Sequence, residues 1–573
     1  MQGSLCIVPG RARAAYVKAV KRGSAADAVR RIMRRDASLF SKRPALRQLI
    51  ADRLGWVDSA GKMKARLRDI EEFGNSVLAA GYKHVVLIGM GGSSLCPDLF
   101  RLVYRHHPSL KSFQVIDSTD PEAIRAIARA IEPRRTLFIV ASKSGSTVET
   151  RSHEAYFQGL LKEAGVRVIG RHFCAITDAG SELHRSARHL KYRKVFLNPA
   201  DIGGRYSALS YFGLVPAFFA GVDLKALVDD AVMMQSVLSE RAGETNPALL
   251  VAALMTAAAE SGGDKLTFVA SKKTAPLVPW IEQLIAESTG KNGHGIIPIE
   301  NEPPGRPLDF GNDRCFVFLR RHGEKTVEAE RLKDAVVGRK YPVIDITLGS
   351  FAELGRQFLL WEAATAVSGW LLGVNPFDEP NVTESKNNTR SILAGFERAG
   401  AFPDLGGHGR WGALSLIAYG GPRNCRAGDR DDLNRLLRRL YAGAKPPRYA
   451  AVLNYFRADR STEKSLSAIR ATLRRCTGMA TLRGYGPRYL HSIGQLYKGG
   501  PARGLFVVLV RAKYRRLPIP GRIFDFGQLI AAQAIGDAQA LIKRDLPTLV
   551  LAIEGPVGEG LAQLQRALEK ALQ

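Results

Sequence analysis

The sequence predicts an α/β protein with two doubly wound parallel sheets and with helical segments added at its N-terminal and C-terminal ends. Short apolar runs predict the strands, and most of these runs end in a turn rich in Gly, Ser or Asp. Amphipathic stretches of helical length separate the runs. Because parallel strands need crossover connections, which are usually helices, this alternation is typical of sheets that are covered by helices on both faces.

The first 400 residues divide into three parts. Residues 1–75 are basic and have a helical pattern, which predicts an N-terminal helical segment. Residues 76–240 are predicted to form the first sheet domain, with apolar runs at 84–90, 113–117, 136–142, 173–178 and 194–198. Residues 241–400 are predicted to form the second, with runs at 266–271, 296–299, 315–320 and 342–346.

The remaining residues have a different character. Residues 401–480 are rich in loops and then become helical and basic, which predicts an insertion or an arm. Residues 481–573 carry two more apolar runs, 505–510 and 548–553, on either side of an Ala-rich helical stretch. We expect this strand–helix–strand segment to complete the sheet of the second domain.

The formal charge of +29 is the one unusual bulk property. It could reflect nucleic-acid binding, a generally basic surface, or a positive field that speeds the capture of anionic substrates. The sequence has neither a nucleic-acid recognition motif nor the interleaved aromatic and basic residues of a single-strand groove. We therefore expect no nucleic-acid partner.

Three features of the sequence predict the cellular location: the apolar runs, the N-terminus and the cysteines. The longest apolar runs, 247–259 and 208–222, are shorter than a membrane span and predict buried core helices. The N-terminus lacks the pattern of a signal peptide. The six cysteines form no CxxC pair, which predicts free thiols and no metal site. Together these features predict a cytoplasmic protein without a membrane partner.

The stretch 138-FIVASKSGSTVET-150 predicts a phosphate site between a strand and a helix. It contains four hydroxyl residues: Ser142, Ser144, Ser146 and Thr147. One hydroxyl would suffice to cap the helix, and Gly145 allows a tight turn. Because helix N-termini present free N–H groups, we expect Ser142, Ser144 and Thr147 to bind a phosphate with the amides of Lys143 and Gly145. The turn lacks GxxxxGK[ST], which argues against a P-loop.

A second turn, in 85-VVLIGMGGSSL-95, also follows an apolar run. Gly91 and Gly92 allow a ligand to approach the backbone, and two serines follow them at a helix start. A dinucleotide site has the same kind of turn, with an acidic residue such as Asp117 further along. On this motif alone, a dinucleotide therefore remains an alternative ligand.

Four further motifs accompany the two turns: 203-GGRYSALS-210, 282-EQLIAESTGK-291, 370-WLLGVNPFDEPNVTESK-386 and 490-LHSIGQLYKGG-500. The set resembles the phosphoglucose isomerase family, and in particular the isomerase half of transaldolase/phosphoglucose isomerase fusions. The likeness extends over residues 80–553. It implies two sugar-isomerase (SIS) domains of flavodoxin-like fold, a homodimer, and interconversion of glucose 6-phosphate and fructose 6-phosphate without a cofactor or a metal.

The resemblance also implies roles for individual residues. Glu287 matches the base that moves a proton between C2 and C1, and Arg205 matches the arginine beside the enediolate. Histidine and lysine open the sugar ring in the family, and His491 and Lys386 match them. The residues matched to substrate contacts are Gly92, Ser93 and Gly204. Without the resemblance, Glu287 would be interpreted as an exposed helix glutamate and Arg205 as a surface arginine.

The order of the motifs departs from the common family pattern. In that pattern the histidine segment lies between the glutamate and the lysine, whereas here His491 follows Lys386. The order implies a rearranged C-terminal region. Two other functions remain compatible with the motifs: a noncatalytic SIS regulator that binds a sugar phosphate, and an isomerase that also accepts mannose 6-phosphate.

Overall fold

The computed structural model describes residues 3–324, 326–420 and 432–573, except for the side chains of residues 382, 383, 385 and 386. Its strands form three sheets, in which parallel pairing predominates, and helices connect them. The predicted α/β fold class is confirmed. The C-terminal addition, which was expected to be mainly helical, contains the third of these sheets.

The N-terminal region begins with strand β1 (Ser4–Val8). Five helices follow: α1 (Arg13–Ala25), α2 (Ala28–Met33), α3 (Pro44–Ala51), α4 (Ser59–Lys64) and α5 (Leu67–Ala79). Strand β1 was not expected from the sequence. It pairs antiparallel with residues 343–347, at the edge of the second sheet. The N-terminal region is therefore attached to the second sheet as well as to the first.

The first sheet consists of five parallel strands: β2 (His84–Gly89), β3 (Ser112–Ile116), β4 (Thr136–Ala141), β5 (Phe173–Asp178) and β6 (Lys194–Asn198). The connecting helices are α6 (Leu95–Tyr104), α7 (Pro121–Ala130), α8 (Val148–Glu163) and α9 (Glu182–His189). Every residue of β2 and β4 is buried, because layers on both faces cover these central strands. The hydroxyl-rich stretch lies between β4 and α8.

Three helices lead to the second sheet: α10 (Tyr211–Ala220), α11 (Leu224–Glu240) and α12 (Pro247–Glu260). The strands are β7 (Lys265–Ala270), β8 (Ile297–Ile299), β9 (Arg314–Arg321) and β10 (Val343–Leu348). The helices are α13 (Val278–Thr289), α14 (Val327–Gly338), α15 (Leu354–Leu371) and α16 (Pro380–Ala399). Helices α10 and α12 are buried almost throughout, which confirms the core helices predicted from the two longest apolar runs.

The third sheet has six strands: β11 (Arg410–Trp411), β12 (Leu414–Gly420), β13 (Tyr449–Tyr455), β14 (Ala480–Tyr485), β15 (Gly504–Arg511) and β16 (Thr548–Ile553). Its helices are α17 (Leu433–Tyr441), α18 (Arg460–Thr477), α19 (Gly494–Gly499), α20 (Phe526–Ile542) and α21 (Val557–Ala571). The segment expected to complete the second sheet lies here instead, because β15 pairs with β13 and β16 with β12. Strand β13 had been assigned to a basic helical region.

Each sheet contains four parallel strands in the same spatial order. If these four strands are numbered along the chain, their order across the sheet is second, first, third, fourth. The three series are β3-β2-β4-β5, β8-β7-β9-β10 and β14-β13-β15-β16. In this doubly wound order, ligands bind beyond the carboxyl ends of the first and third strands, where the winding reverses. In the first sheet that position lies at the two turns after β2 and β4.

Apolar clusters in the core join the N-terminal helices, the sheets and the C-terminal region. One large apolar cluster contains residues of the N-terminal helices and of both the first and second sheets. Another joins the opposite face of the first sheet to residues 517–524, which lead into α20, and to the first turn of α20 itself. Among the described helices, none combines the length and apolarity that a membrane crossing requires. The five described cysteines are free, whereas Cys425 lies outside the described residues.

Candidate active site

The hydroxyl bend, residues 142–147, connects β4 to α8. Ser144 and Ser146 are exposed, and their hydroxyl oxygens lie 3.2 Å apart. Thr147 is the N-cap residue of α8, but its side chain does not cap the helix. The exposed part of the bend therefore offers hydroxyl groups beside the N-terminus of a 16-residue helix, an arrangement that favours an anion.

The other residues of the bend determine its shape. Ser142 is buried, and its Oγ accepts a hydrogen bond from the Gly145 N–H at 3.1 Å. The side chain of Lys143 forms an ion pair with Asp178 at 2.6 Å and donates to the Ala200 carbonyl at 3.0 Å. The side chains of Ser142 and Lys143 are thus engaged within the protein.

Gly145→Ala is expected to lower the free energy of unfolding by about 3 kcal/mol, measured by denaturant unfolding. Gly145 has φ +71°, and a Cβ there would lie 2.3 Å from the Leu183 backbone nitrogen. Gly180→Ala is the matched control, because Gly180 has φ +74° but a Cβ added there would have no heavy atom within 4 Å. The control should lose about 1 kcal/mol. Equal losses would contradict the steric argument.

The glycine-rich turn after β2 packs against two other segments of the chain. A Cβ on Gly91 would lie 2.7 Å from the His491 carbonyl oxygen, and one on Gly92 would lie 2.1 Å from the Gly204 carbonyl oxygen. Ser93 ends the same short turn. The close approach that these glycines allow is therefore to the protein's own backbone. By contrast, a Cβ on Gly204 would enter open space.

Arg205 is buried and lies in the short turn Gly204–Tyr206, which follows β6. Its guanidinium donates to Ser288 Oγ at 2.9 Å, Glu287 Oε2 at 3.3 Å, Glu379 Oε2 at 3.0 Å, the Pro376 carbonyl at 2.8 Å and the Asp378 carbonyl at 3.0 Å. These partners fix the position of the charge. The arrangement places a permanent cation in direct contact with Glu287.

Glu287 lies on α13 and is buried. Burial raises the pKa of its carboxyl group to about 7, although the Arg205 charge opposes that rise, and the negative charge of Glu379 adds to it. Gln283, one turn earlier, donates to Glu287 Oε1 at 3.3 Å. A carboxyl group with a pKa near neutrality can both accept and return a proton under physiological conditions.

His491 comes from the third sheet, in a short helical turn after β14. Its Nε2 lies 3.0 Å from Glu149 Oε1, and the Gln533 amide donates to the same oxygen at 2.8 Å. The His491 carbonyl accepts a hydrogen bond from Gln283 Nε2 at 2.9 Å. Gln283 thus connects the His491 backbone to Glu287, although the two residues belong to different sheets.

The described side chains therefore bring most of the sequence-predicted residues together. Glu149, which follows the hydroxyl bend in α8, contacts His491, and Arg205 contacts Glu287. Lys386 lies in α16, but its side chain is outside the described part of the structure. Among the described residues, no group of three or more His, Cys, Asp or Glu side chains is arranged to hold a metal ion.

Comparison with known proteins identifies the family. A family model for phosphoglucose isomerase matches residues 37–301. A glucose-6-phosphate isomerase of Thermus thermophilus is 30% identical over 404 residues, which cover 61% of this chain and 94% of that protein. The chain belongs to the phosphoglucose isomerase family. The family model ends before the third sheet begins at Arg410, so that sheet lies outside its match.

Other members and structures extend the comparison. A probable glucose-6-phosphate isomerase of Methanococcus maripaludis is 29% identical over 361 residues, covering 55% of this chain and 79% of that protein. The crystal structure of a hypothetical protein from Thermus thermophilus has a TM-score of 0.59 at 26% identity, covering 68% of this chain and all of that one. A Chlamydia trachomatis glucose-6-phosphate isomerase shares the fold, with a TM-score of 0.50, 22% identity, and coverage of 61% and 76%.

In this member of the phosphoglucose isomerase family, four residues that were not predicted from the sequence contact the candidate site or a residue bonded to it. They are Glu149, Gln283, Glu379 and Gln533. The first three lie inside the motifs quoted for the resemblance, so their positions offered a signal. Gln533 lies in the Ala-rich helix α20, and only the folded arrangement connects it to the site.

Proposed function

We propose that this member of the phosphoglucose isomerase family interconverts glucose 6-phosphate and fructose 6-phosphate through an enediolate. The observation that carries the proposal is the buried Glu287 carboxyl group, whose pKa is raised to about 7 while it contacts Arg205. A base with this pKa is suited to remove a proton from a sugar carbon and return it near neutral pH. The relatives named glucose-6-phosphate isomerase support the same reaction.

Substrate binding would begin at the hydroxyl bend. Ser144 and Thr147, with the exposed Ser146, would donate hydrogen bonds to the phosphate, together with N–H groups at the start of α8. Ser142, Lys143 and Gly145 would hold the bend in shape. The substrate contacts proposed for Gly92, Ser93 and Gly204 would lie beside Arg205, where the two glycine turns meet.

Ring opening would use His491 with Lys386. A carboxylate can only accept hydrogen bonds, so Glu149 favours the histidine tautomer that carries its proton on Nε2. That tautomer leaves the lone pair of Nδ1 available to accept a proton from the sugar. We assign His491 to proton transfer at the anomeric hydroxyl or the ring oxygen, with the charge of Lys386 assisting.

Isomerisation would follow in the open chain. Glu287 would remove the proton from C2 of the aldose, which leaves an enediolate whose negative charge is spread over O1 and O2. The fixed Arg205 guanidinium would stabilise that charge without reorganisation during the step. Returning the proton to C1, while the hydroxyl proton of O2 moves to O1, turns C2 into the carbonyl carbon and completes the ketose. The same steps run in reverse from fructose 6-phosphate.

The direct test is a coupled spectrophotometric assay with each hexose 6-phosphate. Conversion of fructose 6-phosphate to glucose 6-phosphate, and the reverse, supports the proposal. Binding of fructose 6-phosphate without conversion would overturn it and favour a noncatalytic regulator. Mannose 6-phosphate as a third substrate tests for epimer use. We further propose a cytoplasmic homodimer, which light scattering of the purified protein and fractionation of the host cells would test.

Glu379→Gln is expected to move the acidic limb of the pH profile of kcat/KM to lower pH, by about half a unit. Activity as a base requires deprotonated Glu287, so the wild-type rate should rise with pH through about 7. The negative charge of Glu379 raises the pKa of Glu287 and also occupies Arg205. Removing that charge lowers the pKa, and the active form then persists at lower pH.

Glu384→Gln is the control for the pH measurement. Glu384 lies on α16, close in sequence to Glu379, but it pairs with Arg544. The limb should keep its wild-type position in this variant. Because both variants use the same substrate, titration of the sugar phosphate cancels from the comparison. An unchanged limb in Glu379→Gln would contradict the proposed coupling to Glu287.

A further inference from the structure

A cavity of about 380 Å³ opens beside the hydroxyl bend, and the C-terminal region supplies part of its wall. Ser144, Ser146 and Thr147 line one side, and His491 lines another. Helices α8 and α9 add to the wall on the side of the first sheet, and α16, α20 and the β15–α20 loop, residues 512–525, add to it from the C-terminal side. This loop follows the third strand of the doubly wound series in the third sheet, yet it reaches the site of the first sheet.

Two exposed arginines line the cavity and have no role in the mechanism proposed above. Arg390 lies on α16 and Arg522 on the β15–α20 loop. Within the described part of the chain, neither guanidinium has a hydrogen-bond or ion-pair partner. Arg151, which lines the same cavity, is instead engaged by Glu154 and Ser186. The cavity therefore has two cations available for a ligand.

Packing holds Arg522 at the cavity. Phe524, two residues later, is buried and also lines the cavity. Phe526 is fully buried and stacks on the His153 ring of α8, with 5.4 Å between ring centroids. At the other end of the loop, the Arg516 carbonyl accepts a hydrogen bond from Arg125 of α7. The loop is thus attached to the first sheet's helices on both sides of Arg522.

The carboxylates of the cavity explain why a ligand phosphate would need these arginines. Glu149, Glu182 and Glu397 also line it. Glu149 contacts His491, and Glu182 lies 3.7 Å from the guanidinium of Arg151, but the net negative charge of the three carboxylates would repel a phosphate bound at the bend. Arginine presents planar paired donors that suit phosphate oxygens, and two such groups can offset the nearby negative charge.

We propose that Arg390 and Arg522, which line the same cavity as the hydroxyl bend, bind the anionic group of the ligand together with it, so that the C-terminal region completes the anion site. The hydroxyl bend and the two arginines together indicate that the ligand carries an anionic group. The identification of that anion as the phosphate of a hexose 6-phosphate rests on the proposed function. Arg522 would then serve substrate binding, while proton transfer remains with Glu287 and His491.

The test measures anion binding separately from turnover. Isothermal titration with inorganic phosphate gives Kd for the wild type, Arg522→Ala, Arg390→Ala and Arg522→Lys. We expect each alanine variant to raise Kd about tenfold, and Arg522→Lys to recover part of the loss, because lysine keeps the charge without the paired donors. KM for glucose 6-phosphate should rise in parallel, with kcat within about twofold of wild type.

Arg515→Ala is the matched control, since Arg515 lies in the same loop and is exposed but is outside the described lining of the cavity. Thermal unfolding of each variant identifies any loss of folded protein. Wild-type Kd in Arg522→Ala and Arg390→Ala, or an equal rise in Arg515→Ala, would overturn the inference. If no isomerisation occurs but the two alanine variants weaken phosphate binding, the proposed function fails while the anion site stands.

Discussion

Glu287→Gln is expected to reduce kcat at least a hundredfold, since a general base contributes about 10²–10⁴ to the rate. The amide cannot take up a proton, but its oxygen can still accept the hydrogen bond from Arg205. Substrate affinity should therefore stay near the wild-type value. Single-turnover kinetics and titration with glucose 6-phosphate measure the two quantities separately.

Glu282→Gln is the matched control for Glu287→Gln. Glu282 lies on the same helix, is equally buried, and also has a pKa raised by burial, but its hydrogen-bond partner is Ser492. It should keep most of the turnover. If Glu287→Gln retained more than about a tenth of the wild-type kcat, Glu287 could not be the base.

Arg205→Lys should lower kcat by about a hundredfold, comparable to the loss of one oxyanion donor. A lysine keeps the positive charge but cannot reproduce the five hydrogen bonds of the guanidinium. The enediolate would lose a rigid, correctly placed cation. The measurement is kcat and KM in the coupled assay, with the concentration of folded protein determined independently.

Arg314→Lys is the control for this substitution. Arg314 is also fully buried and pairs with Glu302 at 2.8 Å, but it lies in strand β9 of the second sheet. Both variants should lose stability, because each leaves buried acceptors without a partner. Only Arg205→Lys should lose activity per folded molecule. Equal kcat values in the two variants would contradict the proposed role of Arg205.

The sequence predicted those parts of the site that depend on local chemistry. The hydroxyl bend required small and hydroxyl residues directly after a strand, and the structure places it between β4 and α8. Glu287, Arg205 and His491 were found through motifs, and the structure places them in one connected network. Their catalytic roles remain proposals, which the substitutions above test.

The third sheet could not be predicted in the same way. Strand β13, with the sequence 449-YAAVLNY-455, follows the basic stretch of α17 and lies wholly inside residues 401–480, for which the sequence predicts loops and basic helices. Once β13 is recognised as a strand, β15 has a parallel partner and does not need the second sheet. Side-chain pairs such as His491 with Glu149 join residues that are 342 positions apart. The sequence pattern around either residue cannot predict such a contact.

The contribution of three sheets to one network has a consequence for synthesis of the chain. Glu149 and Glu287 would emerge from the ribosome before His491 and its supporting Gln533. A nascent chain of about 400 residues would already hold the bend and the base, yet it would lack its proposed ring-opening histidine. The proposed catalysis would then begin only after the third sheet has been synthesised and has docked onto the first two.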